Sequence, residues 1–425
     1  MKTLIAGGGW AGVAAAMQAA KMGAETTLVE RTDMLLGTGL VGGIMRNNGR
    51  FTATEELIAM GAPEIFRAID GNYLHRDIDF PGHQHASLYN VATMEPIIRR
   101  LLTEAGVDLR LETRLTDVEM SGSAIRAVVC RQNGTDTPLT LAADSFIDTT
   151  GTAGPAANCH KFGNGCAMCV LRCHSFGGRV SLAAKAGVTE MIGEKNGQRG
   201  AFSGSCKLFK ESLDPRLVAH LNTEGVAVVP IPQDQQISGK LSIKACQQYA
   251  LPEFENNIIL LDTGHAKLMT PYFPLAALRL IPGFENARYE DPYAGGMGNS
   301  IRYVGMSPRD DGLKVDGIDN LYCAGEKAGL LVGHTEAICT GTLAAHNAVR
   351  QVRSESALVL PDTTVIGDAI SQVRRRMQTP AGMGLKFTFS GSVLFERMQQ
   401  REMYTTDPGA VRERVHKAGM SAVFA

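Results

Sequence analysis

The 425-residue chain sets 42 lysines and arginines against 43 aspartates and glutamates, so no global basic field draws it to nucleic acid or acidic lipid. With 44% hydrophobic and 20% charged residues, it has the composition of a globular enzyme of two or three domains. No apolar run approaches the roughly 18–20 residues that a bilayer crossing needs. The first residues read as a strand rather than a signal peptide, and nine cysteines, an odd number, point to a reducing cytoplasm rather than a disulfide framework.

The chain opens on its strongest signal. Lys2–Ala6 reads as a short buried strand that runs into Gly7-Gly8-Gly9-Trp10-Ala11-Gly12 and an alanine-rich helix over Val13–Met22. A second strand, Thr26–Val29, ends at Glu30. Strand, G-x-G-x-x-G turn, helix, strand and terminal acid form the context that a dinucleotide site requires. Gly7 permits the tight turn, Gly9 lets backbone approach a pyrophosphate, and Gly12 lets helix lie close to strand. Trp10 and Ala11 sit where free helix N–H groups face the phosphates. Glu30 is placed to accept the ribose hydroxyls, with Arg31 beside it.

Leu35–Gly49 is glycine-rich yet apolar and includes Gly43. Thr52–Tyr89 reads as helix and loop. Within it His83 and His85 follow Asp77 and Asp79, as a metal site, part of a substrate pocket or, most simply, a polar surface loop. Glu95–Ala105 is helical, with Ile97, Ile98, Leu101 and Leu102 on one face. Val107–Leu111, Ala124–Cys130 and Leu141–Asp148 read as strands, the last ending in Thr149-Thr150-Gly151.

Four of the nine cysteines then fall within fifteen residues, as Cys159-x6-Cys166-x2-Cys169-x3-Cys173. All four as ligands would suit an iron–sulfur cluster such as [4Fe-4S]. Cys166 and Cys169 alone would suit a redox dithiol. Structural zinc and thiols packed as small hydrophobes are the remaining readings. Arg172 and His174 would lower nearby thiol pKa values if they lie close. Cys130, Cys206, Cys246, Cys323 and Cys339 are isolated, and Cys130 and Cys323 fall in core strands.

Further strands are expected over Val226–Ile231, Ile258–Leu261 and Asn320–Cys323. The last leads into Ala324-Gly325-Glu326, Gly329–Gly333, His334-Thr335-Glu336-Ala337, Gly341 and a helix through Arg350. His334 and Glu336 are candidates for proton transfer; a helix N-terminal cap with Thr335 is the alternative. Arg172, Arg179 and Arg302 are candidate anchors for an anionic substrate. Ser354–Ala425 reads as largely helical after the Leu360-Pro361-Asp362 break, with Arg374–Arg376 on a solvated helix face.

GGGWAG at Gly7–Gly12, TTGT at Thr149–Thr152, FGGR at Phe176–Arg179 and NLYCAGEKAG…GHTEAICTGTLAAHNAVR over Asn320–Arg350 together resemble the two-dinucleotide-binding FAD-dependent oxidoreductases. Within that class the chain resembles the glucose-inhibited-division (GidA-like) flavoproteins. The resemblance implies an α/β fold: a Rossmann-like FAD-binding domain of the GR2 type, an inserted α+β substrate domain and a helical C-terminal segment. The expected domains are a discontinuous FAD-binding unit of 1–51, 90–151 and 282–350, a helix and loop excursion over 52–89, a substrate domain over 152–281, and helices over 351–425. By resemblance Gly7, Gly9, Gly12, Glu30, Gly151, Gly325 and Glu326 bind FAD, Gly341 lies in the closing motif, and Leu35–Gly49 passes along the isoalloxazine ring.

The group includes tRNA-uridine-modifying enzymes that use FAD, a nicotinamide reductant and a folate donor. This chain differs from them in its cysteine run and in having no long basic C-terminal extension. A small molecule or redox partner protein is therefore the expected substrate. An RNA-modifying enzyme and an electron-transfer subunit are the rivals. NAD(P)H is an open reductant, no membrane is expected, and the oligomeric state, a homodimer included, is left open.

Overall fold

Five parallel strands form the central sheet, in the order Leu321–Cys323, Ser145–Asp148, Lys2–Ala6, Glu25–Val29, Asp108–Arg110. This arrangement comes from a computed structural model that describes residues 1–152, 173–195, 198–199, 201–203, 206–239, 241, 249–270, 273–290, 300–302 and 305–425. The central strands are buried in the core, with Leu4, Ile5, Phe146, Ile147 and Leu28 all buried, as is usual for parallel strands covered on both faces. Ala6 lies between Val29 and Asp148, and Asp148 lies opposite Cys323. The carboxyl ends therefore share one edge. The chain first builds outward to Asp108–Arg110 and then returns to the other side of Lys2–Ala6. The order thus reverses between Lys2–Ala6 and Ser145–Asp148, and a ligand crevice opens at such a switch point.

The opening helix, Trp10–Lys21, crosses the closing helix, His334–Val352. Both join the sheet and the C-terminal helices in one core, to which Val365, Ile366, Val373, Val411 and Phe424 belong. Side chains cap three C-terminal helices: Thr364 accepts from the Gly367 amide, Thr379 from Gly382 and Asp407 from Gly409. Arg375 and Arg376 are exposed, as expected of a solvated face.

A second, antiparallel sheet runs Cys206–Leu208, Ala266–Leu268, Asn257–Asp262, Val226–Pro230. Ile258 and Leu260 enter one core with Phe273 and Phe284, while Ile259 and Leu261 enter another with Phe80 and Leu88. Being buried on both faces explains the unbroken apolar run. The first of these cores also takes in Ala287 and Tyr289, so the chain leaves it after 289 rather than at the expected boundary of 281.

Two expectations are corrected. Residues 52–89 are not all helix and loop: helices Gly49–Ala59 and Glu64–Asp70 are followed by a hairpin, Tyr73–Phe80 and His83–Tyr89, paired with Ile44–Met45. Charged residues such as Arg76, Asp77 and Asp79 hid the strand, because they occupy its exposed face while Ala86, Leu88 and Tyr89 of its partner are buried. Leu141–Asp148 is likewise two strands. Pro138–Ala142 completes a three-stranded meander with Thr113–Ser121 and Ala124–Gln132, and Ser145–Asp148 enters the central sheet.

Candidate active site

The three glycines of the opening turn differ in what surrounds them. Gly7 has φ +106°, and a Cβ there would stand 2.5 Å from the Thr149 carbonyl oxygen. A Cβ at Gly12 would overlap the Gly7 carbonyl. Gly9 is different: a Cβ there would meet none of the described residues within 4 Å. It is the N-terminal boundary of the opening helix, whose first N–H groups have no side-chain cap. Gly151, at φ +74°, likewise has none of the described residues within 4 Å of a Cβ. Glu30 braces the turn, its carboxylate accepting from the Gly8 amide at 2.7 Å and from the Thr32 amide and hydroxyl at 2.9 and 3.0 Å. An open cradle before an uncapped helix N-terminus fits a pyrophosphate, and an acid at the tip of the second strand fits a ribose.

Arg31 donates to the Gly177 carbonyl at 2.5 Å and Arg114 to Gly178 at 3.0 Å. The turn of FGGR thus lies beside Glu30, and Arg179 donates to the Thr150 hydroxyl at 3.3 Å. Arg179 also pairs with Glu190 at 3.7 Å, which ties it into the wall of the crevice.

The closing motif meets this turn. A Cβ at Gly325 would stand 2.9 Å from Ala11 Cβ, and one at Gly341 would overlap the Ala11 carbonyl. The ring of His334, the first residue of the closing helix, lies with its centroid 6.1 Å from that of Trp10, the first residue of the opening helix. Two helix N-termini without side-chain caps therefore converge on one crevice. Glu326 accepts from the Thr152 hydroxyl at 2.6 Å. Gly341 lies in the interior of the closing helix, where the Ala11 backbone packs against it. Gly43, at φ +81°, lies against Thr263, in the turn that joins Asn257–Asp262 to Ala266–Leu268 of the second sheet.

Glu336 has a structural setting. It is fully buried; Arg50 Nε donates to both its oxygens at 3.2 Å, and the Thr388 hydroxyl and Phe389 amide donate to Oε1 at 2.7 and 2.8 Å. A carboxylate engaged this way pins the closing helix to Phe387–Ser390, and of the two proton-transfer candidates half-buried His334 is the one nearer solvent.

A second buried charge cluster gave no sequence signal beyond a lysine in an apolar stretch. Lys327, fully buried, lies 3.6 Å from Asp148, donates to Ser181 Oγ at 2.9 Å and pairs closely with Glu190. Burial alone would push both acids up. Together, the Lys327 ammonium, the bonds from Thr150 and the Ala183 amide at Asp148, and Arg179 with the Ser181 and Lys327 bonds at Glu190 outweigh it and hold both carboxyls below the usual range.

Cys159, Cys166 and Cys169 lie outside the described residues, as do Arg172 and Cys246. Cys173 begins the short helix Cys173–Phe176. Cys130 and Cys323 are buried strand residues, and burial pushes each thiol up to about 12. His83 is buried rather than on a surface loop. It stacks on Phe80 with ring centroids 4.6 Å apart and is hydrogen-bonded to Asn47. His85 instead pairs with Asp77 at 2.7 Å. Among the described residues no group of three His, Cys, Asp or Glu is placed to hold a metal, and no helix is long and apolar enough to cross a membrane.

A Rossmann-like sheet whose switch point receives two helix N-termini suits a dinucleotide, and residues 3–159 match the family model described as FAD dependent oxidoreductase. Residues 255–356 match the model of glucose inhibited division protein A. Aquifex aeolicus GidA superimposes in two crystal forms with TM-scores of 0.69 and 0.62, at 15% and 14% identity, over the whole of this chain and 74% and 76% of GidA. The flavin-dependent monooxygenase PieE, solved with FAD and substrate, gives 0.50 at 14% identity, over 99% of this chain and 72% of its own. No curated protein matches. These matches and the shared fold support an FAD-dependent oxidoreductase similar to the GidA-like flavoproteins.

Proposed function

We propose that this enzyme moves hydride or electrons between FAD and a small molecule or a redox partner protein, in the cytoplasm. The convergence of the Trp10 and His334 helix N-termini carries this reading. FAD, when bound, supplies reversible two-electron chemistry at its ring. Gly7, Gly9 and the opening helix hold the pyrophosphate; Glu30 and Arg31 hold the adenosine end; Gly151, Gly325 and Glu326 line the middle. The positive end of the closing helix would stabilise the ring's pyrimidine edge, and His334, at its first residue, would hold or pass a proton. Cys159, Cys166, Cys169 and Cys173 would hold an iron–sulfur cluster, which would supply one-electron relay chemistry, or Cys166 and Cys169 would serve as a redox dithiol. NAD(P)H is the proposed reductant.

The match to glucose inhibited division protein A over 255–356 favours a second reading, in which the substrate is an RNA uridine. One experiment separates these. Anaerobically purified protein is examined for absorption, iron and sulfide, then mixed with NAD(P)H and with RNA. Flavin bands with stoichiometric iron and sulfide support the relay, and flavin bands without iron eliminate it. Salt-dependent RNA affinity with a steep slope supports the second reading. Folded protein that takes up no FAD overturns both.

A further inference from the structure

The second sheet reaches into the turn that borders the flavin edge. Lys267, on the strand Ala266–Leu268, is only 4% exposed. Its ammonium donates to the Val41 carbonyl at 2.5 Å and to the Gly42 carbonyl beside it. These are the last carbonyls of the short helix Gly39–Gly42. A helix end leaves such carbonyls without backbone partners, and a cationic side chain can satisfy them. Thr263, from the same hairpin, fills the space beside Gly43, and its carbonyl accepts from the Val91 amide at 3.1 Å. On the opposite side the Gly42 Cα abuts the His334 ring, and Gly39 abuts Trp10. Tyr89 closes the arrangement, its hydroxyl donating to the Gly39 carbonyl at 2.7 Å. Residues 39–43 are thus held between the second sheet and the two converging helix N-termini.

We infer that Lys267 is a positioning residue: it ties the second sheet to the 39–43 turn and thereby keeps that turn against His334 at the flavin edge. The inference rests on the FAD reading above. It makes the shape of the flavin-side turn depend on a side chain from the sheet expected to face substrate. Lys267→Met keeps most of the volume and removes the donors. Lys267→Gln keeps a donor without the reach.

The test measures FAD dissociation constant, visible circular dichroism of bound flavin, and amide hydrogen exchange of peptides covering 35–48 in the apo protein. Lys267→Met is expected to weaken FAD binding by about tenfold, to change the visible dichroism, and to speed exchange in 35–48 while the central sheet keeps its protection. Lys267→Gln should fall between Lys267→Met and the parent in all three. Parent-like affinity and dichroism in Lys267→Met overturn the inference. So does exchange that rises throughout the chain, since that marks general destabilisation. If Lys267→Met does not fold, the same criteria applied to Lys267→Gln decide. If the parent takes up no FAD, the functional reading fails, and exchange in the apo variants still tests the clamp.

Discussion

Gly341 and Ala11 touch where the closing and opening helices cross, and the contact leaves no room for a Cβ at Gly341. This contact brings the two cofactor motifs, more than three hundred residues apart in sequence, onto one crevice. Gly341→Val should therefore separate the helices or strain the turn, lowering stability by roughly 3 kcal/mol or more, as overpacking of tight cores does. Chemical denaturation of the apo protein checks this. A variant with parent stability and weakened FAD binding would mark Gly341 as a cofactor contact.

The opening turn allows a sharper comparison. Gly9→Ala meets none of the described residues within 4 Å and should leave apo stability within about 0.5 kcal/mol, yet weaken FAD binding by roughly tenfold or more by blocking approach of the pyrophosphate. Gly12→Ala should destabilise the apo protein by about 1–3 kcal/mol, because its Cβ overlaps the Gly7 carbonyl. Thermal melts with and without FAD separate the two effects.

Arg50 and Glu336 form a buried pair whose removal on one side leaves an uncompensated charge. Arg50→Met should cost about 3–5 kcal/mol, and Glu336→Gln should also lower apo stability. If Glu336 served proton transfer instead, Glu336→Gln would leave the denaturation midpoint unchanged and abolish turnover.

His346 is buried, and among the described residues neither ring nitrogen has a hydrogen-bond partner. Burial, with the Arg350 and Arg353 charges, lowers its pKa to about 4. The folded state thus resists protonation that the unfolded chain accepts near 6.5. Stability should be fully present above pH 6.5 and fall as pH drops toward 4, by up to roughly 3 kcal/mol from this group. His346→Leu should be neutral or stabilising at pH 7 and should flatten the loss between pH 6.5 and 4, as read by denaturation at a series of pH values.

Local pattern was enough for the elements that carry their own signal. Strand, glycine turn, helix and Glu30 are contiguous, so periodicity and turn chemistry alone place them, and the same holds for Asn320–Cys323 with its following helix. The Tyr73–Tyr89 hairpin carries no such local signal, because its exposed face is charged and its register is irregular. The spacing of residues could not say which glycines face ligand and which face backbone. Gly9 and Gly341 are the same residue type in similar motifs, and only the crossing of two distant helices distinguishes them.

The amino-acid order by itself determined the dinucleotide turn, the sheet strands and the closing helix, because each depends on neighbours within a few residues. The tertiary structure alone decided that Glu336 is pinned by Arg50, that Lys327 is buried between Asp148 and Glu190, and that Lys267 grips the Gly39–Gly42 helix end. In each case the partner lies far along the chain, and a buried charge keeps its place only where the fold brings that partner within hydrogen-bonding reach.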